Sequence, residues 1–317
     1  MALHPVPIAT KDAEHSAQQF RMMIKDLARD NQGVTTGLDM KVTALSTPGA
    51  GVQVGDGSAV IAGKVSPVQG YYNAYNIGSD TVPISATGGV GRSDMLVLRV
   101  EDPEYEGDRD PATDPIVFFE VIPNVSSSAT TVPSGYSAIP LARIDIPSST
   151  ATITNAMITD LRKVANPRRE RQLWLFYYSG ALTQISGTSG AWQNFPSAVT
   201  WSIPVPAWAG KVKIVMTAAG IRLDDGFVFG GYTFQFGTTK EAAQSVNIDD
   251  NQGTGVRRQT YVTADTLSLT DTAGAAMRGT NQTLRPKMRC NAGNAGKIGA
   301  DGATTFIADV EFEEAAL

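Results

Sequence analysis

Residues 88–122 read GGVGRSDMLVLRVEDPEYEGDRDPATDPIVFFEVI, two apolar runs joined by a long acidic loop. Short runs rich in aliphatic and aromatic residues, bounded by glycine and proline, read as the two strands of a hairpin. The glycines at the start decide what kind of protein this is. A dinucleotide site needs a strand before its glycines and a helix after them, so that the helix N-terminus faces the pyrophosphate. Here a strand follows, and Gly88, Gly89 and Gly91 are turn residues. The stretch is ordinary β architecture.

The rest of the chain agrees with a β reading. Its 317 residues are enough for two domains with separate cores. Only 18% are charged, while 31 glycines and 17 prolines punctuate the sequence, which favours short strands and many turns. A net charge of −5 gives no basic field, so a duplex-binding role that must neutralise several phosphates is not expected, and nucleic acid is not an expected partner. Cys290 is the lone cysteine, so neither an intrachain disulfide nor a multi-thiolate zinc site is available. The first residues lack a basic segment followed by an apolar one, and no run approaches the roughly 20 apolar residues of a membrane span. A soluble chain made in the cytoplasm, without membrane insertion, is expected.

One long helical pattern occurs, over residues 12–31. Ala17, Phe20, Met23, Ile24 and Leu27 recur at spacings of three and four, along one amphipathic stripe. Asp12 or a neighbour caps its start, and Asn31 with Gly33 ends it. The proline-containing segment before it, ALHPVPIAT, reads as an extended arm. Arm and helix either cover one end of the next domain or dock a partner subunit.

From Gly33 to about Ile146 short β patterns follow one another, and about seven or eight strands fit one β-sandwich or barrel-like domain. In VQVGDGSAVIAGK the turn Gly55-Asp56-Gly57 suggests a hairpin, with Val52 and Val54 on one arm and Val60 and Ala62 on the other. Residues 152–171 change character. Thr154 or Asn155 can cap a short helix through AMITDLRKVA, ended by Asn166 and Pro167, with the basic cluster Arg168, Arg169 and Arg171 just beyond. That cluster is either a solvated linker or a charged contact with a neighbouring subunit. After Gln172 strand patterns return. GFVFGGYTFQFG places Phe227, Phe229, Tyr232, Phe234 and Phe236 on sheet faces at period two.

The expected fold is mostly β: an N-terminal arm and amphipathic helix (1–32), a β-sandwich-like assembly domain (33–151), a short helical linker (152–171) and a C-terminal β-sandwich of jelly-roll type (172–317) that serves as a receptor-binding domain. No fixed repeat links the halves.

Chemistry is sparse. NAGNAGKIG, residues 291–299, lacks the leading glycine and the trailing hydroxyl of a phosphate loop and reads as a loop between late strands. The two histidines, His4 and His15, fall in the arm and helix, which leaves neither β domain a histidine base. Paired acids such as Asp224-Asp225 and Asp249-Asp250, and the acidic loop 101–114, are candidates for glycoside hydrolysis or calcium, but acids in turns are common and the loop lacks regular calcium spacing. No catalytic residue, metal or cofactor is assigned. Exposed aromatics remain: rings that stack on sugar C–H groups beside hydrogen-bonding side chains make glycan sites. Trp192, Trp201, Trp208 and Tyr261 are the candidate glycan contacts, with Tyr178 beside them; core packing is the competing reading for each.

Residues 138–171, AIPLARIDIPSSTATITNAMITDLRKVANPRRER, together with VQVGDGSAVIAG, GYYNAYN and SDMLVLRVEDPEY upstream, resemble the N-terminal domain of minor tail or upper baseplate proteins of long-tailed bacteriophages, particularly those of actinobacteria. The resemblance covers roughly the first half of the chain and rests on structural strands and turns. It implies a non-enzymatic structural protein of the virion tail, often a homotrimer, whose N-terminal half attaches to other tail-tip proteins while the C-terminal half projects outward. Host cell-wall carbohydrate is then the expected distal partner. Phe20, Met23, Ile24, Leu27, Arg168, Arg169 and Arg171 are the expected subunit contacts. A free carbohydrate-binding or adhesion protein is the alternative, and a glycan-cleaving tail enzyme a further one.

Overall fold

The computed structural model describes residues 6–317. It is mostly β, with antiparallel sheets in two compact units: one runs to Pro167 and takes in Ala316 and Leu317, the other spans Arg168–Ala315. Among the described residues no helix is long and apolar enough to cross a membrane.

The first unit opens with helix α1 (Ala17–Ala28), followed by β1 (Gly33–Val34), β2 (Val42–Ala44), β3 (Gly51–Val54), β4 (Gly57–Ala62) and β5 (Tyr71–Asn76). Then come β6 (Asp80–Pro83), β7 (Arg92–Val100), β8 (Val117–Val125), β9 (Ala138–Ile146) and β10 (Ile158–Asp160). Strands β7 and β8 form the hairpin expected from residues 88–122, with Val100 opposite Val117. β7 lies between β9 and β8 in the order β10-β9-β7-β8. Its continuous apolar run follows from burial on both faces: Leu96, Leu98 and Val100 enter the main core, while Met95 and Val97 enter a second cluster with Ala138 and Leu161.

These strands build the β-rich domain expected for residues 33–151, but not as one simple sandwich. They divide among three sheets, β1-β4-β5, β2-β3-β6 and the four-stranded sheet, around a shared core that includes Val34, Val52, Ile61, Leu96 and Leu141. The expected hairpin at Gly55-Asp56-Gly57 is corrected too, since β3 pairs with β2 and β6 whereas β4 pairs with β1 and β5. Residues 39–41 intervene: Met40 N–H donates to the Asp56 carbonyl at 2.8 Å and Gly55 N–H to that of Lys41 at 2.9 Å. Gly57, at φ +139, has no room for a side chain, because a Cβ there would lie 2.4 Å from the Asp39 Cβ. The turn thus passes the chain from one sheet to another.

The short helix expected through AMITDLRKVA shrinks to one turn after Thr154. Asn155–Met157 makes a single 3-10 turn and Ile158–Asp160 pairs with β9 as β10. Arg162, whose side chain is fully buried, donates to the Asp160 carboxylate and to the carbonyls of Gly37 and Asp39, which holds this stretch extended. The next strand starts at Arg169, inside the expected linker.

The second unit contains β11 (Arg169–Tyr177), β12 (Thr183–Ser186), β13 (Gln193–Asn194), β14 (Trp201–Pro204), β15 (Ala209–Asp224), β16 (Val228–Phe236) and β17 (Lys240–Glu241). It continues with β18 (Val246–Asp250), β19 (Arg257–Ser268), the one-turn α2 (Thr272–Ala275), β20 (Asn281–Cys290), β21 (Lys297–Ala300) and β22 (Thr305–Glu314). The principal strands pair from the outside in: β11 with β22, β14 with β20, β15 with β19, β16 with β18. Cross-pairs β22–β15 and β20–β16 then complete two sheets, β11-β22-β15-β19 and β14-β20-β16-β18. This is a jelly roll, one long nested hairpin wound into a two-sheet sandwich.

The alternation in the sequence supplies its core. Along β22, Phe306, Ala308, Val310 and Phe312 are fully buried while the residues between them are not. From the other sheet Tyr232, Phe234, Phe236, Leu284 and Met288 enter the same cluster. Cys290 is also buried there, and desolvation pushes its thiol pKa up.

Candidate functional site

Helix α1 starts later than its pattern suggests. Ser16, not Asp12, is the cap: its hydroxyl accepts from Gln19 N–H at 3.2 Å and the Gln19 side chain accepts from Ser16 N–H at 2.9 Å, a reciprocal capping box. The C-terminal cap is Arg29, left-handed at φ 54, so Asn31 and Gly33 lie beyond the end.

The stripe expected to bury the helix divides in two. At about 100° per residue, Arg21, Ile24 and Ala28 share one face and Phe20, Met23 and Leu27 the next. The first face is the buried one. Ile24 and Ala28 pack with Ala62 and Tyr71, whereas Phe20 is 47% and Leu27 72% exposed.

What secures the helix is Arg21, buried and polar at every donor. Its Nε donates to the Gln69 carbonyl at 2.8 Å, Nη1 to Asp102 Oδ2 at 3.2 Å, and Nη2 to Glu104 Oε2 at 2.6 Å and the Tyr105 hydroxyl at 3.1 Å. The guanidinium also lies over the rings of Tyr72 and Tyr105, 5.7 and 5.2 Å from their centres. Tyr72 donates its hydroxyl to Asp102 at 2.7 Å; burial, then that bond, pushes the phenol pKa upward. The helical spacing of the apolar residues gives Arg21 no role. The available signal was an arginine between apolar positions and a distant acidic loop with nothing assigned to neutralise it.

The first part of that loop is tied down by ion pairs, while residues 110–115 stay exposed, as a solvated or subunit-contacting excursion would be. Besides Asp102 and Glu104, Glu106 lies 3.5 Å from Arg99, and Glu101 lies 2.6 Å from Arg109. Arg99 also binds Glu120 at 3.0 Å, and Arg109 stacks on Phe118 at 4.2 Å. Among the described residues no group of three or more His, Cys, Asp or Glu is arranged to hold a metal ion.

The basic cluster is internally paired in the second unit. Arg168 binds Glu314 at 2.7 Å, Arg169 binds Glu313 at 3.0 Å, and Arg171 binds Asp309. The β11–β22 register accounts for this, since it sets Arg169 opposite Glu313 and Leu173 opposite Asp309, two residues along from Arg171. The hydrogen bond from Arg171 holds the Asp309 carboxyl below its ordinary range. The cluster thus lies at the start of a strand, in cross-strand ion pairs whose arginine side chains stay more than half exposed.

Of the expected glycan contacts, Trp201 and Tyr261 are each 6% exposed and belong to the core. They face inward because alternate residues of β14 and β19 fill the sandwich. Trp208 is half-buried and the Arg168 guanidinium stands 5.0 Å over its ring; half-buried Tyr178 packs against the same core. Trp192 differs. It lies just before β13 on the outer side of the second sheet, against Gly231, where a Cβ would come within 2.7 Å of the indole. Arg289, paired with Gly231 across β16 and β20, stacks on it at 5.0 Å. In the next row Asn194, Lys287 and Thr233 align across β13, β20 and β16. Asn194 Oδ1, Thr233 Oγ1 and Arg289 Nε are buried without a hydrogen-bond partner in the structure. The Lys287 ammonium is bound to Glu241 at 2.5 Å, and an aromatic ring beside amide, hydroxyl and guanidinium groups has the makings of a sugar-binding surface. Arg289, Asn194, Lys287 and Thr233 carried no signal in the sequence.

His15 sits at the start of the helix, accepting from Ala9 N–H at 3.1 Å, while His4 lies outside the described residues. Three of the four paired acids are engaged by cations: Asp224 binds Arg222, Asp225 binds Lys297 and Asp250 binds Arg257, while Asp249 is exposed.

No family model matches the chain, and no curated protein matches it. Among solved structures, a subviral particle of VP2 from infectious bursal disease virus aligns at 10% identity over 95% of this chain and 83% of that one, with a TM-score of 0.29. T=1 particles derived from the same virus align at 11% identity over 93% and 80%, with a TM-score of 0.27. A Cry1Da tryptic core variant of Bacillus thuringiensis covers 96% of this chain and 56% of that one at 10% identity, with a TM-score of 0.15. These are weak likenesses to viral particle proteins and to a bacterial protein, and at such TM-scores they carry no argument.

Proposed function

We propose that the chain is a non-enzymatic structural component of a bacteriophage virion, of the minor tail or baseplate class. The first unit makes the subunit contacts of a homotrimer and attaches to neighbouring tail-tip proteins. The jelly roll presents a face for host cell-wall glycan. The observation that carries this reading is the helix: it is fastened by the buried Arg21 while Phe20 and Leu27 point outward. A polar anchor at this depth is costly unless fully paired, so it fixes one orientation, and that orientation leaves an apolar ridge for another chain. The tail assignment itself draws on the sequence resemblance in residues 52–171. Arginine and lysine pairing of Asp224, Asp225 and Asp250 favours a scaffold over a pair of catalytic acids.

The test is mass measurement of the intact chain at micromolar concentration, beside the double variant Phe20→Ser/Leu27→Ser. Both sites are exposed, so folding stability should change by no more than about 0.5 kcal/mol. The unsubstituted chain is expected as a trimer and the variant as a monomer. A monomeric parent, or a variant that retains its mass, removes the assembly role of this helix.

The Trp192 surface favours the second reading, a free carbohydrate-binding protein. Tail particles assembled without this chain but otherwise complete would support that alternative.

A further inference from the structure

The first unit contains a cavity of about 360 Å³ between the loop that joins β8 to β9 and the segment after β10. Its apolar lining includes Val132, Tyr136, Ile139 and Leu161, and its charged side chains are Lys64 and Lys163. No aspartate or glutamate lines it, in a chain whose net charge is −5. Neither lysine makes an ion pair among the described residues, whereas the arginines of the same unit are mostly engaged by acids.

The main chain at both lysines is held in place. Val34 N–H donates to the Lys163 carbonyl at 2.8 Å and Ala165 N–H returns a bond to Val34 at 2.9 Å. This contact exists because residue 33 is glycine: a Cβ there would come within 2.1 Å of the Lys163 oxygen. Lys64 N–H donates to the Ser137 hydroxyl at 3.0 Å, and fully buried Gln69 braces Val65 N–H at 3.0 Å. The far wall is steadied through Tyr136, on whose ring Arg99 stacks at 4.5 Å. Two compact cations are thus fixed at the root beside an apolar hollow.

We infer that this cavity binds an amphipathic anion, a compact apolar group carrying one carboxylate. Sites for small ligands are mostly apolar, of about 300–1,000 Å³, with a few polar groups that set orientation. Ammonium groups act as point charges for an anionic head, and the aliphatic lining takes the body out of water. A neutral apolar molecule would leave both lysines unanswered, and a bare anion would leave the lining wet. The carboxylate can belong to a free acid or to the terminal residue of a peptide, which share this chemistry.

The test uses the full chain with labelled Ile, Leu and Val methyl groups, titrated with hexanoate, hexanamide, inorganic phosphate, acetyl-Ala-Leu and the amide of that peptide. Free carboxylates are expected to shift the methyl signals of Val132, Ile139 and Leu161, and to bind at least about tenfold more tightly than their amides. In Lys64→Gln/Lys163→Gln, which alters two exposed side chains and leaves the fold intact, that preference should vanish. Stronger binding of hexanoate identifies a free acid, and stronger binding of the peptide identifies a chain terminus. Equal affinity for acid and amide, phosphate binding as well as hexanoate, an unchanged preference in the variant, or no shift at millimolar ligand each overturns the inference.

Discussion

Arg21 and Asp102 are 81 positions apart in the chain and 3.2 Å apart in space, with side-chain exposures of 9% and 14%. The contact joins the N-terminal helix to the acidic loop of the β7–β8 hairpin, and it explains the composition of both. Removing one member of a buried pair leaves the other charged and unanswered, at a cost of about 3–5 kcal/mol. Arg21→Ala should therefore lower the unfolding midpoint of the first unit and strip amide-exchange protection from residues 17–28, while the jelly roll keeps its own. If those amides stay protected in the variant, Ile24 and Ala28 alone fasten the helix.

How much of this was readable in the sequence depends on the range of the contact. β22 and β16 were legible because a sandwich imposes period two on every strand, and the sequence repeats that period residue by residue. β7 was legible as a strand and hairpin arm, though its burial on both faces required knowing its neighbours. The turn at Gly55-Asp56-Gly57 misled because its meaning lies in Asp39 and Met40, which pair with it from outside the local window. Residues 158–160 misled in the same way: AMITDLRKVA has helical spacing, but β9 offers a strand partner and Arg162 finds carbonyl acceptors far away in the chain. At the candidate surfaces the aromatics were visible by type. Which of them faces outward, and that Arg289, Thr233 and Lys287 join Trp192, follows only from register.

Tyr232 carries a hydroxyl that the jelly-roll core does not satisfy. The residue is fully buried, its oxygen has no hydrogen-bond partner in the structure, and desolvation raises its pKa well above the ordinary value. An unmet buried hydroxyl costs about 1–3 kcal/mol, so Tyr232→Phe should leave stability unchanged or raise it by about that amount. Tyr232→Ala, by contrast, opens a cavity and should cost about 3–5 kcal/mol. Denaturant midpoints of the two variants separate ring from hydroxyl. A loss of more than about 1 kcal/mol in Tyr232→Phe would mean the hydroxyl has a partner such as a trapped water.

Trp192 and Trp208 make a matched pair for the glycan proposal, because each is half-buried and each has an arginine stacked on its ring. Their surroundings differ. Arg168 at Trp208 is bound to Glu314, so that group is closed, whereas Arg289 at Trp192 has its Nε unpartnered beside Thr233 and Asn194. Sugar binding needs an aromatic ring flanked by polar side chains, and Trp192 has the larger set of them, although the three unpartnered atoms are themselves buried. Trp192→Ala should weaken retention on host cell walls at least about tenfold, equivalent to about 1.4 kcal/mol, with the unfolding midpoint little changed. Trp208→Ala should leave retention intact while loosening the β11–β22 end of the sheet, where Arg168 packs on the ring. Retention lost with Trp208 and kept without Trp192 would place the sugar surface elsewhere on the jelly roll, and retention unaffected by either would remove the glycan role from both.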